Sequence, residues 1–317
     1  MGLGEFNLIE RYFSHQVVQR ADVATPIGDD AAVVSLAAGE ELVVSVDTLI
    51  ADVHFPAQTS ARAIGHKALA VNLSDLAAMG AEPAWATLAL TLPHADADWL
   101  AAFSGGFFDL AEQHQVALIG GDTCCGPLAI TVQIMGTVAR GQALKRSGAV
   151  SGDLIYVTGQ IGDAGLGLRR VQAGGAAKDD YFVQRLNYPS PQVGAGRALV
   201  GLASAAIDIS DGLAADLGHI LDQSGVGAEL DVATLPVADE VRQAAEPWWQ
   251  WPLGAGDDYE LCFTVPAERR VEVEARLNET GCVATCIGLI TTQPGLRLRL
   301  ETRQLIEMNH RGYRHFV

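Results

Sequence analysis

Five segments of this chain place an aspartate where an apolar run meets Gly or Ser. They are Ile27-Gly28-Asp29-Asp30, Val43-Val44-Ser45-Val46-Asp47, Leu118-Ile119-Gly120-Gly121-Asp122, Ile207-Asp208-Ile209-Ser210-Asp211 and Leu253-Gly254-Ala255-Gly256-Asp257-Asp258. Asp75 joins them from a helical pattern in which Asn72 and Asp75, three apart, share a face. Strand ends are where α/β proteins gather ligand chemistry, and glycine lets the backbone approach a phosphate or a metal closely. Carboxylates are hard oxygen donors that suit Mg²⁺ or Ca²⁺. Taken singly, each Asp also fits an Asx-turn or a helix N-cap. Taken together, converging carboxylates repel one another unless cations lie between them. The set therefore points to divalent metal, and metal-bound acids invite an anionic substrate, as in phosphoryl transfer.

Other catalytic signatures are missing. The sequence has no G-x-x-x-x-G-K-[ST] loop, no protein-kinase H-R-D or D-F-G set, no G-x-S-x-G and no H-E-x-x-H. Gly194-Ala195-Gly196 begins a G-x-G-x-x-G but lacks the third glycine. The turn carrying Gly159, Gly162, Gly165 and Gly167 fits either a phosphate cradle at a helix N-terminus or a plain strand-to-helix turn.

The elements that must position these residues are legible from periodicity. A helix is expected over 60–79, with Ser60 as N-cap and Gly80 just past its end. Strands are expected over 41–46, 85–92, 116–119 and 128–138, with a helix over 98–114. The Gly/Ser-rich stretch 146–153 breaks the periodicity and marks a boundary between domains 1–147 and 148–317. Beyond it, strands are expected over 154–158, 205–209, 259–265 and 282–290, and helices to about 172, over 213–224 and over 267–279. This irregular alternation is that of an α/β or α+β protein. Trp248, Trp249 and Trp251 form a segment read as local packing.

Composition narrows the function classes. The 317 residues carry a formal net charge of -17 with no Lys/Arg cluster, which argues against nucleic-acid binding. Five cysteines without a C-x-x-C pair argue against a disulfide framework or a structural zinc, and fit a reducing cytosol. Residues 1–13 lack the basic and apolar regions of a signal peptide, and no stretch is apolar enough to cross a membrane. The expected location is cytoplasmic.

Several motifs in order resemble the thiamine-monophosphate kinase family, within the group that includes aminoimidazole ribonucleotide synthetase and selenophosphate synthetase. They are Ile27 to Ala31, Asp47-Thr48-Leu49 followed by His54-Phe55, the run His66 to Gly80, Gly120 to Asp122, Arg146-Ser147-Gly148, Asp208 to Gly212 and Asp258 to Leu261. The resemblance spans Gly4 to Tyr313. It implies a fold of two α/β domains: an N-terminal synthetase-like mixed sheet with helices on one side, which forms a homodimer, and a C-terminal α/β sandwich domain. It implies direct transfer of the γ-phosphoryl group of ATP to thiamine monophosphate, with several Mg²⁺ ions. By the same resemblance Asp30, Ser45, Val46, Asp47, Asp75, Asp122, Asp208 and Asp211 are metal ligands. Gly121, Asp122, Arg146 and Ser210 meet ATP, with Arg146 the cationic partner of its phosphates. His54, Asp257 and Tyr313 contact the thiamine moiety. The acceptor is a phosphate monoester with a second pKa of about 6, so it is already largely anionic and needs no general base. Two residues depart from the family pattern. Asp257 is one methylene shorter than the usual Glu, and Val46 replaces a common Thr, so that a carbonyl ligand survives there but a hydroxyl ligand would be lost.

The nearest alternatives are another ATP-using member of the same group, acting like aminoimidazole ribonucleotide synthetase, and a two-metal phosphohydrolase. A calcium-binding module is disfavoured because no D-x-[DN]-x-[DN]-G loop is present.

Overall fold

A computed structural model describes residues 5–14, 16, 18–175, 177 and 179–308. The chain divides into two compact units, Met1–Leu76 with Ala81–Gly141, and Gln142–Val317 with Ala77–Gly80.

The first unit contains α1 (Glu5–Tyr12), a short antiparallel pair β1 (Val23–Thr25) and β2 (Val33–Val34), then β3 (Glu40–Ile50), α2 (Ala61–Ala78), β4 (Glu82–Leu92), α3 (Ala97–Gln113), β5 (Ala117–Cys125) and β6 (Ala129–Ala139). Its main sheet has the order β3-β6-β4-β5. The β3–β6 and β4–β6 pairs are antiparallel and β4–β5 is parallel, so the sheet is mixed. Strand β3 is an edge strand whose side chains alternate. Val43, Ser45, Asp47 and Leu49 face inward, while Leu42, Val44, Val46 and Ile50 are exposed. Helix α2 lies on the inward face, where Ser45 donates to Asp75. Its residues 68–74 are buried on every side, which fits a segment apolar but for Asn72 and Ser74. Helix α3 starts at an Asp96 N-cap, whose carboxylate accepts from the backbone N–H groups of Asp98 and Trp99.

Two strands run further than periodicity implied. Asp47 and Asp122 were expected at strand ends and instead lie inside β3 and β5. The cause is pairing: β3 stays in register with β6 to Ile50, and β5 stays beside β4 to Cys125. Ladder hydrogen bonds carry a strand past residues of poor intrinsic β preference.

The second unit contains β7 (Leu154–Thr158), α4 (Asp163–Ala173), α5 (Tyr181–Asn187), α6 (Val193–Leu199), β8 (Ala205–Asp208), α7 (Leu213–Ser224), β9 (Gly227–Asp231), α8 (Asp239–Gln243), α9 (Gln250–Gly254), β10 (Leu261–Val265), α10 (Arg270–Glu279), β11 (Ala284–Thr291), β12 (Gly295–Arg299) and β13 (Leu305–Met308). They build a sheet of order β13-β12-β9-β11-β7-β10-β8, antiparallel except for the β12–β9 pair. Its core is apolar, with Ile155, Val157, Ile207, Leu217, Ile220 and Ile287 among the fully buried side chains. Trp248 and Trp249 pack against this core, and the Arg242 guanidinium lies 4.1 Å from the Trp248 ring centroid. The Trp251 indole N–H donates to the Gly162 carbonyl at 3.3 Å. The tryptophan segment is therefore packing. All five cysteines are free thiols.

In the first unit, α2 and α3 approach at glycine. A Cβ on Gly106 would stand 2.0 Å from the Arg62 carbonyl oxygen, and one on Gly65 would stand 2.0 Å from that of Phe103. Gly106→Ala is expected to force these helices apart at a cost of about 1–3 kcal/mol. Urea denaturation of the variant checks this, and an unchanged midpoint would show that the helices separate freely.

Candidate functional site

In the first unit, β3 and α2 bring Ser45, Asp47 and Asp75 together. Ser45 and Asp47 are two apart on a strand and so share a face, and the Ser45 hydroxyl donates to Asp75 Oδ2 at 2.5 Å. Asp47 is half-buried, and burial together with the Asp75 charge pushes its carboxyl up to about 6. Val46 points to the opposite, exposed face. Its side chain is thus directed away from Asp75, and only its backbone is left to serve as a ligand.

The same unit holds a cavity of about 460 Å³. One wall is the loop Ile27–Ala32, carrying Asp29 and Asp30, and the opposite wall is Gly120–Thr123 on β5. Ile9, Phe13, Leu88 and Leu118 give it an apolar side. Asp30, Gly121 and Asp122 therefore line one space. A Cβ on Gly121 would lie 1.9 Å from the Leu88 carbonyl oxygen, so only glycine lets β5 pass β4 here. His54 sits in the turn after β3, where its Nδ1 accepts from the Ile50 N–H at 3.0 Å. An accepting Nδ1 places the proton of the neutral ring on Nε2.

In the second unit, Asp208 is buried at the end of β8, and Ser210 and Asp211 follow in the turn before α7. Segment 254–259 lies directly on this turn. The Asp257 N–H donates to the Ser210 carbonyl and the Tyr259 N–H to that of Ile209, both at 2.9 Å. A Cβ on Gly256 would fall 2.2 Å from the Ser210 carbonyl oxygen. Asp257 and Tyr259 both have positive φ, 69° and 52°, a costly conformation for residues with a Cβ. The Tyr259 hydroxyl donates to Asp257 Oδ1 at 3.1 Å. Arg146 is exposed, and its loop is tied to α7 through Ser224, whose Oγ accepts from the Gly148 and Ala149 N–H groups at 3.2 Å. Tyr313 lies outside the described residues.

Two buried acids hold this region: Asp258, which the sequence counts among the metal-directed aspartates, and Asp216, to which it assigns no role. Asp258 sends its carboxylate to the start of α4, accepting from the Gly162 N–H at 2.7 Å and the Ala164 N–H at 3.3 Å. The glycine-rich turn is thus filled by the protein's own Asp258 carboxyl, which decides between its two readings in favour of a strand-to-helix turn. Burial pushes the Asp258 carboxyl well above the usual carboxylate range, against the pull of those two donors. Asp216, in the first turn of α7, accepts from the N–H groups of Ser210 and Asp211 at 3.0 Å each. Burial, then the charge of Asp208, pushes its carboxyl up to about 8. The available signal for Asp216 was an acid one turn into a helix whose N-cap, Gly212, has no side chain to cap it. Alongside, Arg185 pairs with Glu260 at 2.8 Å, and the Thr158 hydroxyl donates to Glu260 at 2.7 Å.

Among the described residues, no three His, Cys, Asp or Glu side chains converge closely enough to hold one ion by themselves. The donors do fit a hydrated Mg²⁺, which keeps several waters and takes one or two carboxylates. Asp47 and Asp75 offer two oxygen donors of that kind, close enough that the Asp75 charge adds to the burial that raises the Asp47 carboxyl.

Models of two families match the chain: AIR synthase related protein, N-terminal domain, over residues 28–138, and AIR synthase related protein, C-terminal domain, over residues 150–301. The thiamine-monophosphate kinase of Escherichia coli (strain K12) is 46% identical, with 100% of this chain and 99% of that protein covered. The thiamine-monophosphate kinase of Bacillus subtilis (strain 168) is 34% identical, with 99% and 100% covered. A crystal structure of thiamine-monophosphate kinase from Stenotrophomonas maltophilia K279a superposes with a TM-score of 0.86 at 47% identity, covering 94% of this chain and 97% of that one. A structure of AaThiL complexed with AMPPCP and TMP superposes with a TM-score of 0.77 at 29% identity, covering 99% and 97%.

Removing the Asp258 carboxylate strands two N–H donors at the start of α4. Asp258→Ala is expected to cost about 1–3 kcal/mol, and Asp258→Asn, which keeps an acceptor oxygen, less. Chemical denaturation of both variants checks the order, and equal stability of the two would remove the anchoring role.

Proposed function

Because the chain belongs to the thiamine-monophosphate kinase family, we propose that it transfers the γ-phosphoryl group of ATP to thiamine monophosphate, giving thiamine diphosphate and ADP. The observation that carries this is the Ser45–Asp47–Asp75 cluster, a hydroxyl and two carboxylates gathered on one face of β3 and α2. We assign metal binding to Asp30, Ser45, the Val46 backbone, Asp47, Asp75 and Asp122 in the first unit, and to Asp208 and Asp211 in the second. Bound there, Mg²⁺ would offset the charge of the phosphates and hold them in line. Gly121 gives the ATP phosphates close approach to β5. Arg146 offers an exposed guanidinium whose planar fork suits phosphate oxygens. Ser210 meets the nucleotide. His54, Asp257 and Tyr313 read the thiamine moiety: Asp257, steadied by Tyr259, presents a fixed carboxylate to a cationic or amino group, and Tyr313 offers an aromatic face. No side chain is required as a base, since the acceptor oxygen is already anionic.

A cytoplasmic homodimer belongs to the same proposal. Free thiols fit a reducing compartment, and no described helix is long and apolar enough to cross a membrane. The exposed Leu42, Val44 and Ile50 on edge strand β3 offer an apolar face to a second copy.

Product chromatography after incubation with ATP, Mg²⁺ and thiamine monophosphate tests the reaction. Thiamine diphosphate is expected in step with ADP, and ADP without it would favour a phosphohydrolase. Asp75→Asn relieves the like-charge pair with Asp47, so the metal-free protein is expected to melt no lower than wild type. It should lose most turnover and most of the rise in Tm that Mg²⁺ gives. An undiminished Mg²⁺ effect would take Asp75 out of the site. Val44→Glu places a charge on the exposed face of β3 and is expected to yield monomers in light scattering. A dimer of wild-type strength would move the interface elsewhere.

A further inference from the structure

We propose that Asp216 is a positioning residue for the proposed phosphate and metal site, acting by holding the Ser210–Asp211 turn through its two backbone N–H groups. One carboxylate oxygen, Asp216 Oδ2, receives both donors at 3.0 Å, and the side chain is 3% exposed. Consecutive N–H groups that converge on one point form an anion-binding concavity. Here the Asp216 carboxyl occupies that concavity, so the Ser210 and Asp211 N–H groups are not left for a phosphate oxygen. Ser210 therefore meets a nucleotide through its hydroxyl, and Asp211 faces a metal through its carboxylate. The turn is gripped on its other side as well, since the Ile209 and Ser210 carbonyls accept from Tyr259 and Asp257. With its three N–H groups and the Ile209 and Ser210 carbonyls all bonded, the backbone of 209–211 is held from both sides, and its side chains are left to address a ligand.

The inference rests on the proposed kinase function, and two conservative variants separate geometry from charge. Asp216→Asn keeps an oxygen at the same reach and cannot ionise. Asp216→Glu keeps the charge and moves the oxygen by one methylene. Both are assayed for turnover, for Mg²⁺ binding to the nucleotide-free protein by calorimetry, and for cooperative melting. Asp216→Asn is expected to keep kcat and Mg²⁺ affinity within about threefold. Asp216→Glu is expected to lose roughly 10–100-fold in kcat, the scale set by misplacing a positioned group by about 1 Å, with KM for ATP less affected and Mg²⁺ affinity reduced. A tolerated Glu with an impaired Asn would overturn the proposal in favour of Asp216 acting by its own charge. Wild-type behaviour of both would reduce it to a structural residue. If the wild-type protein forms no thiamine diphosphate, the kinase function fails, while the Mg²⁺ titration still decides between positioning and charge for Asp216.

Discussion

Like charges held close together and out of water are the constraint on which this structure turns. Asp47 and Asp75 are placed by strand β3 and helix α2. Burial, and then their proximity, pushes the Asp47 carboxyl up to about 6 and so costs the fold stability in the absence of a cation. The cost is tolerable because the elements beneath are rigid. Helix α2 is buried on all sides along 68–74, and it meets α3 at glycines that bring the two backbones into contact. A cluster of this kind needs a scaffold that does not relax away from its own repulsion.

The second unit meets a related constraint by a different route. Its turn at 209–211 also carries acids, and their neighbours Asp216 and Asp258 are buried carboxylates that satisfy backbone donors rather than pair with cations. Each fills a site that would otherwise attract an external anion: Asp258 at the start of α4, Asp216 at the Ser210–Asp211 turn. Internal acceptors of this sort direct a phosphate ligand to side chains and metals and away from the backbone. They also explain the conformation of Asp257 and Tyr259. With Asp258 pinned between them and their own N–H groups bonded to Ser210 and Ile209, both are held at positive φ although neither is glycine. Strain of this kind persists only where surrounding contacts over-determine the backbone.

Much of this was legible in the sequence. The helix bounded by Ser60 and Gly80, strand 154–158 and helix 213–224 follow from local periodicity and end signals, and they stand where those signals put them. The recurrence of Asp beside Gly and Ser marked the chemistry, because residue type alone fixes a hard oxygen donor. Tertiary structure decided how those acids are shared out. Asp47 and Asp122 lie inside strands because pairing with β6 and β4 extends the ladders past them. Val46 is turned from Asp75 because side chains alternate along a strand. The glycine-rich turn at 159–167 takes Asp258 as its acceptor, 96 residues from Gly162 in the chain, and no local pattern could announce that partner. Asp216 gains its place the same way, from a carboxylate meeting two N–H groups across a turn. Sequence determines which groups are available and which local segments coil or extend, whereas long-range pairing determines which donor finds which acceptor.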